Sequence, residues 1–131
     1  MFTYCLVNRP FMIGAQPKAG FIKTEPRPSE DDDLYQVARH GFAIYDRKLT
    51  HEEEKSFELA PVLSKEDLDD LAAQVANSYT KYRDAIIEMV ANNEREWVES
   101  NFFEKARRLY PGYSPALPEY FPQLVYHKLV S

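Results

Sequence analysis

The sequence predicts an α+β fold, in which a small antiparallel sheet of three to five strands packs against one long amphipathic helix with shorter flanking helices. Two observations lead to this prediction. Residues 1–49 are rich in β-forming runs separated by turn residues. Residues 62–110 contain neither Gly nor Pro, and many of their apolar residues recur at the spacing of one helix face.

The chain has 131 residues, the length of one domain with its own core. We therefore expect a single α+β domain over 1–131. Its β-rich part is 1–49, which includes a Pro-rich loop at 9–29, and its helical part is 50–110. Residues 111–131 are expected to form an extended segment followed by a C-terminal strand.

The strands are predicted from short runs without helix periodicity. Phe2–Asn8 is β-rich and contains no breaker, and Gly20–Thr24 is expected to form a short edge strand inside the Pro-rich loop. Residues 34–39 and 42–46 flank His40-Gly41 and are predicted to form a hairpin around this two-residue turn.

The helical part begins with two N-terminal caps. Thr50 and Glu53 have the spacing of a capping box, which predicts a short helix of about 52–59. Ser64 is predicted to cap the long helix over 65–99. The apolar stripe of this helix is expected to consist of Leu68, Leu71, Ala72, Val75, Tyr79, Tyr82, Ile86, Met89, Val90 and Trp97.

A straight helix of this length would be ~50 Å long, whereas a compact chain of this size is roughly 35–40 Å across. The helix must break, with Asn92-Asn93 as a candidate point, or its end must project. We favour a continuous helix because two Asn residues cost only about 1.3 kcal/mol relative to Ala. A second helix over 102–110, capped by Asn101, is expected to follow. Asn93 itself falls near the centre of the apolar stripe, where a polar group needs a partner.

The end of the chain is predicted to be non-helical. Tyr113–Pro122 is rich in Pro and aromatic residues and is expected to stay extended. Gln123–Val130 is predicted as a last strand beside the first strand or the hairpin, because a lone strand would leave its backbone groups unpaired.

The formal net charge is -5, and the acidic excess is concentrated in the middle of the chain. Residues 30–70 hold thirteen acidic and five basic groups. This balance makes direct nucleic-acid contact unfavourable and predicts a protein partner with a basic surface. The alternative is a solvated face with acidic helix starts.

No motif for catalysis or cofactor binding is found. There is no Gly-rich phosphate loop, no Cys or His pair at metal spacing and no Gly-flanked Ser. His51 precedes three Glu residues, but that run is typical of a helix start. We predict a non-catalytic protein without cofactor or metal. The one Cys, Cys5, is expected to be a small buried apolar residue, and the absence of a membrane span or signal sequence predicts a cytoplasmic protein.

Three surfaces are candidates for partner binding. The Pro-rich loop is one, because a loop this long is usually functional or disordered and its apolar residues Phe11, Met12 and Ile13 are expected to hold it in place at least partly. The acidic turn after it and an apolar flank of the long helix are the others. The residues concerned are Arg9, Phe11 and Met12, then Asp31, Asp32 and Asp33, then Ile87, Ala91 and Val98.

The sequence is also compatible with two other functions and with a homodimer. A nucleic-acid-associated factor would use the basic residues Arg9, Lys18, Lys23, Arg27, Arg107 and Arg108. A small enzyme or ligand-binding domain would need a pocket between sheet and helix built from distant residues.

Two clusters of residues resemble a known kind of protein. The first is Asn8-Arg9-Pro10 with Ile13-Gly14, Pro17 and Gly20-Phe21, and the second is Leu49-Thr50 with Glu53 and the run Phe57 to Pro61. Together they resemble small uncharacterised accessory proteins of bacterial phages, plasmids and integrative elements, over the first half of the chain only. The resemblance implies a role against host defence, such as inhibition of restriction or CRISPR complexes, and implies no catalytic residues.

Overall fold

A four-stranded antiparallel sheet is built from the first half of the chain. Its strands are β1 (Phe2–Leu6), β2 (Phe21–Glu25), β3 (Phe42–Tyr45) and β4 (Leu59–Pro61), in the spatial order β2-β3-β1-β4. The computed structural model describes residues 1–131. Five helices complete the fold, and they are α1 (His51–Phe57), α2 (Lys65–Ser78), α3 (Arg83–Ala91), α4 (Arg95–Leu109) and α5 (Phe121–Val130).

The predicted α+β class and antiparallel sheet are confirmed. The chain divides into two compact units. The sheet unit comprises 1–62 and 111–118, and the helical unit comprises 63–110 and 119–131. The assignment of a single domain over 1–131 stays a prediction.

The sheet unit is organised around β1, which pairs with β3 on one side and β4 on the other. Side chains of successive β1 residues point to opposite faces. Tyr4 and Leu6 lie in one apolar cluster, and Cys5 lies in another. The predicted first strand and the edge position of the second are therefore confirmed, and Cys5 is buried as expected.

The predicted hairpin is wrong in its first arm. Residues 34–39 form hydrogen-bonded turns, in which the amide of Ala38 donates to the carbonyl of Leu34. A strand there would have no place on β3, because β1 and β2 already occupy both of its edges. Gly41 has a φ of +91°, and a Cβ at this position would lie 2.2 Å from the carbonyl oxygen of Glu25, so only glycine fits.

Helix α1 begins as the sequence predicts. The Thr50 hydroxyl accepts a hydrogen bond from the amide of Glu53, and the Glu53 carboxylate accepts from the amide of Thr50. The last helical residue is Phe57, and Glu58 follows it with a left-handed backbone of φ 54°. The helix is therefore shorter at its end than the predicted 52–59, because Leu59 belongs to β4. Ser64 also caps α2 as predicted, by accepting from the amide of Asp67.

The prediction of a single long helix over 65–99 is wrong. Helix α2 ends at Ser78, a 3-10 turn occupies Thr80–Tyr82, and α3 ends at Ala91. Near the first break the hydroxyls of Ser78 and Thr80 donate to backbone carbonyls one turn earlier, which competes with a regular helix. At the second break Asn93 adopts φ 65°, a left-handed conformation that Asn tolerates better than most residues.

The predicted helix start at Asn101 is also wrong. Helix α4 runs without interruption from Arg95 to Leu109, so the second helix is not confined to 102–110. The side-chain amide of Asn101 donates back to the carbonyl of Trp97 over 2.8 Å, within the helix. The side chain therefore bonds to the preceding turn and does not cap a new helix.

The predicted C-terminal strand over 123–130 is wrong, because this segment is helix α5. An apolar run of this length fits either structure, and its surroundings decide between them. Here Phe121, Val125 and Leu129 recur at helical spacing and are buried. The guanidinium of Arg83 donates to the carbonyls of Leu129 and Val130, which satisfies acceptors at the helix end.

Contacts of Ala116 hold the segment before α5 in the sheet unit. The amide of Ala116 donates to the carbonyl of Pro61, and Ala116 forms an isolated parallel bridge with Val62. Ala116 is buried against Cys5 and Ala60 on one face of the sheet.

The core of the helical unit lies between α2, α4 and α5, which contact one another. The apolar stripe of α2, expected to face the sheet, packs on these two helices. The end of the predicted stripe is different, because the Trp97 side chain is 61% exposed. No helix in this structure combines the length and the apolar character that crossing a membrane requires.

Candidate protein-binding loop

The loop between β1 and β2 is held at its base by a chain of aromatic contacts. The ring of Phe11 stacks on that of Phe21 with centroids 4.7 Å apart. The ring of Phe21 in turn meets the ring of Tyr45 edge to face at 5.7 Å. Tyr45 is fully buried in the core cluster of the sheet unit. Aromatic pairs contribute free energy beyond that of burial alone. The series of ring contacts from Phe11 through Phe21 to Tyr45 therefore holds the loop against the sheet.

Hydrogen bonds fix the loop backbone at three further points. The Tyr45 hydroxyl donates to the carbonyl of Pro17 over 2.8 Å, and burial raises the pKa of Tyr45 to about 12. The guanidinium of Arg47 donates to the carbonyl of Ala19. The buried side chain of Gln16 accepts from the amide of Met12 over 3.0 Å.

Arg47 is itself fixed by a two-point ion pair. Its guanidinium donates to both carboxylate oxygens of Glu53 over 2.8 Å. These bonds, together with the backbone amide of Thr50, lower the pKa of Glu53 to about 2. The charge-assisted pair thereby connects the loop to the start of α1.

The tip of the loop presents apolar side chains to solvent. Met12 is 60% exposed and Ile13 is 92% exposed. The amide of Ala15 donates to the carbonyl of Met12, and Gly14 turns the chain with a φ of +89°. A fixed loop that exposes two large apolar residues is typical of a protein-contact surface, because little conformational entropy is lost when a partner covers it.

Three residues of this loop were predicted from the sequence to bind a partner. Arg9 and Met12 are exposed, and Phe11 is half-buried and anchors the loop. Sequence reasoning missed Ile13, although its position next to a turn glycine was a usable signal. It also missed the anchoring residues Tyr45 and Arg47. Each lies 28 residues from the loop residue it contacts, and no sequence pattern reports a contact over that separation.

The other nominated residues are distributed over separate places. Asp31, Asp32 and Asp33 lie in an exposed turn, where the Asp32 carboxylate accepts from the amide of Leu34. In the helical unit Ile87 is half-buried, Ala91 is exposed, and Val98 is buried with 3% exposure. Val98 is therefore packed in the core of the helical unit.

Several basic residues proposed for nucleic-acid contact have internal partners. The Arg27 guanidinium lies 3.5 Å from the centroid of the Tyr35 ring and also donates to the Tyr35 carbonyl. Arg107 lies over the Phe103 ring, and Arg108 pairs with Glu104. These contacts leave fewer guanidinium groups free for phosphates.

The structure contains no group of three or more His, Cys, Asp or Glu side chains arranged to hold a metal ion. His51 contacts the buried carboxylate of Glu54 at 3.2 Å. Gly112 packs against this pair so closely that a Cβ there would lie within 1.8 Å of a Glu54 oxygen. Burial raises the pKa of the Cys5 thiol to about 12, so Cys5 has the character of an inert core residue.

Two comparisons relate parts of this chain to known proteins. Residues 1–64 match the family model described as Defence against restriction A C-terminal. The match includes all four strands and α1. The chain is also 32% identical over 97 residues to Defense against restriction protein A of Escherichia phage P1. That similarity covers 73% of this chain but 15% of the phage protein, so the chain spans a small part of its relative.

No solved structure matches the chain. The resemblance to accessory proteins of mobile elements over the first half of the chain is confirmed, because both matches point to a phage protein of this kind.

Proposed function

We propose that this protein serves a mobile genetic element as an accessory factor that counteracts host restriction. The observation that carries the proposal is the match of residues 1–64 to the family of the phage protein named for defence against restriction. The matched residues include the whole sheet and the loop with the exposed Met12 and Ile13. The bacterial cytoplasm, where restriction enzymes meet incoming DNA, is the compartment in which this role would be exercised.

The mode of action that we propose is protein binding without catalysis. It is supported by the structural roles of the strongly paired groups: Glu53 belongs to the capping box of α1, and Arg47, which pairs with Glu53, also donates to the loop carbonyl of Ala19. The partner would be a component of the restriction machinery that offers an apolar recess for Met12 and Ile13. Basic groups around that recess would complement the acidic excess, including Asp31–Asp33.

Phage plating tests the role. A phage that carries the gene is compared with one from which the gene is deleted, on isogenic hosts with and without a restriction enzyme. We expect the deletion to lower plating at least tenfold on the restricting host and to leave it unchanged on the other host. Equal plating of both phages across a panel of restriction types would contradict the proposal.

A loop variant tests the mode of action in the same assay. Met12→Ser with Ile13→Ser removes the apolar tip, and we expect it to lower protection as much as the deletion does. The matched control, Tyr82→Ser with Tyr120→Ser, removes two other exposed apolar residues and is expected to protect normally. Thermal unfolding of each purified variant shows whether the fold is retained. A folded tip variant with full protection would eliminate the loop as the contact surface.

A further inference from the structure

An open recess on the helical unit is lined in part by Trp97. The recess has a volume of about 460 Å³ and is lined by Met89, Asn93, Glu94, Glu96 and Trp97. It lies where α3 ends and α4 begins. These residues are outside the segment that matches the family model.

The backbone of the recess is well fixed. Asn93 has a left-handed φ of 65°, and the amide of Glu94 donates to the carbonyl of Met89 over 2.9 Å. The amide of Asn92 donates to the carbonyl of Glu88 over 3.0 Å. Such a connection holds the two helix ends at a defined spacing, so the recess exists before any ligand binds.

The chemistry of the recess is aromatic and acidic. Trp97 is 61% exposed, and both ionisable residues that line the recess are Glu. The nearby Arg95 is directed to another partner, because its Nε lies 3.5 Å from a carboxylate oxygen of Glu99. An indole face beside carboxylates attracts cations, and Trp is the side chain that binds them best through its π-system.

From this geometry we infer that the recess binds a basic side chain, an arginine, from a protein partner. The guanidinium would stack on the Trp97 indole while Glu94 and Glu96 accept its hydrogen bonds. Arginine fits better than lysine because its planar group stacks and donates in several directions at once. A nucleic acid is a poor occupant, since its phosphates would meet the two carboxylates. The inference concerns the helical unit alone and does not depend on the anti-restriction role.

The single Trp of the chain makes a direct test possible, because all indole fluorescence comes from this site. The full-length protein is titrated with the peptide acetyl-Gly-Arg-Gly-Arg-Gly-amide up to about 10 mM, since one such contact corresponds to weak binding. The control peptide has citrulline at both arginine positions, which keeps the shape and removes the charge. We expect saturable quenching with the arginine peptide and at least fivefold weaker binding of the citrulline peptide.

Variants separate this site from general charge attraction. Glu94→Gln with Glu96→Gln is expected to weaken the arginine peptide at least fivefold. Asp70→Asn with Glu119→Gln removes the same charge from exposed positions elsewhere on the helical unit and is expected to have no effect on binding. The far-ultraviolet circular dichroism of each variant must match that of the wild type. Absence of saturable quenching, equal binding of both peptides, or equal effects of the two double variants would each overturn the inference.

Discussion

The side-chain amide of Asn8 donates to a carboxylate oxygen of Glu58 across 2.6 Å. These residues are fifty positions apart and belong to the two sequence clusters that carried the resemblance to mobile-element proteins. The same amide donates to the Tyr113 hydroxyl at 3.2 Å. Asn8 therefore joins the end of β1, the C-terminal end of α1 and the segment that returns to the sheet unit after α4.

Asn8→Ala is expected to lower the free energy of unfolding by about 1 kcal/mol, because a hydrogen bond to a charged group is lost at a partly exposed site. Asn8→Asp should cost more, since it places a second carboxylate beside Glu58. Urea denaturation measures both values. Gln74→Ala, at an exposed position of α2, is the control and should change stability by less than about 0.5 kcal/mol.

The Arg47–Glu53 pair predicts a pH dependence of stability. The pKa of Glu53 is lowered to about 2 in the folded protein, from its ordinary value of 4.5. A carboxyl with a lowered folded pKa contributes stability above its unfolded pKa and loses it as the pH falls. We therefore expect the stability difference between the wild type and Glu53→Gln to shrink between about pH 4.5 and about pH 2. The effect should be smaller than the full shift implies, because the pair is partly open to solvent.

Urea unfolding at pH 6 and pH 3 measures this difference. Glu52→Gln removes the same charge from the neighbouring, exposed residue and serves as the control. A stability difference for Glu53→Gln that does not change with pH would mean that the ion pair contributes no stability.

Tyr45→Phe tests whether the hydrogen bond from the Tyr45 hydroxyl to the Pro17 carbonyl holds the loop in place. The variant leaves the carbonyl of Pro17 without the hydroxyl donor but keeps the aromatic chain to Phe21 and Phe11. We expect a loss of about 1 kcal/mol in unfolding free energy. Hydrogen exchange of residues 10–20 should become faster than in the wild type. Tyr82→Phe, at an exposed position, should change neither measurement.

Asn93 lies at the second of the two breaks in the helical part of the chain. Because its φ is 65°, Asn93→Ala should lower the free energy of unfolding by about 1 kcal/mol, while Asn93→Gly should leave it equal or raise it. At Asn92, whose φ is -95°, replacement by Ala should have a smaller effect. If Ala at both positions stabilised the protein equally, the left-handed turn would not be what separates α3 from α4.

Local patterns were predictable where the interacting residues are close in sequence. The capping box at Thr50 and Glu53 and the cap at Ser64 involve residues three apart, and both are present as predicted. The Pro-rich loop was predicted as a contact surface, but the sequence could not show that Phe11 is an anchor and Ile13 the exposed tip. That distinction depends on Phe21 and Tyr45, which come from other strands.

The larger errors come from segments whose local pattern suits more than one structure. Residues 34–39 have strand-forming composition, yet both edges of β3 are occupied. Residues 123–130 are apolar enough for a strand, yet they form α5 and bury one side against α2 and α4. In each case the free energy of burial and pairing with distant elements exceeds the small differences in intrinsic propensity.

The sequence by itself determined the α+β class, the first strand, the starts of α1 and α2 and the resemblance of its first half to mobile-element proteins, because these depend on short-range spacing and on residue types. Only the tertiary structure decided where the helices stop and which side chains remain exposed. Ser78 and Asn93 are compatible with a continuous helix, and the packing of α2, α4 and α5 into one core requires the chain to turn. The exposure of Trp97 follows from the same turn, since it takes that side chain out of the core.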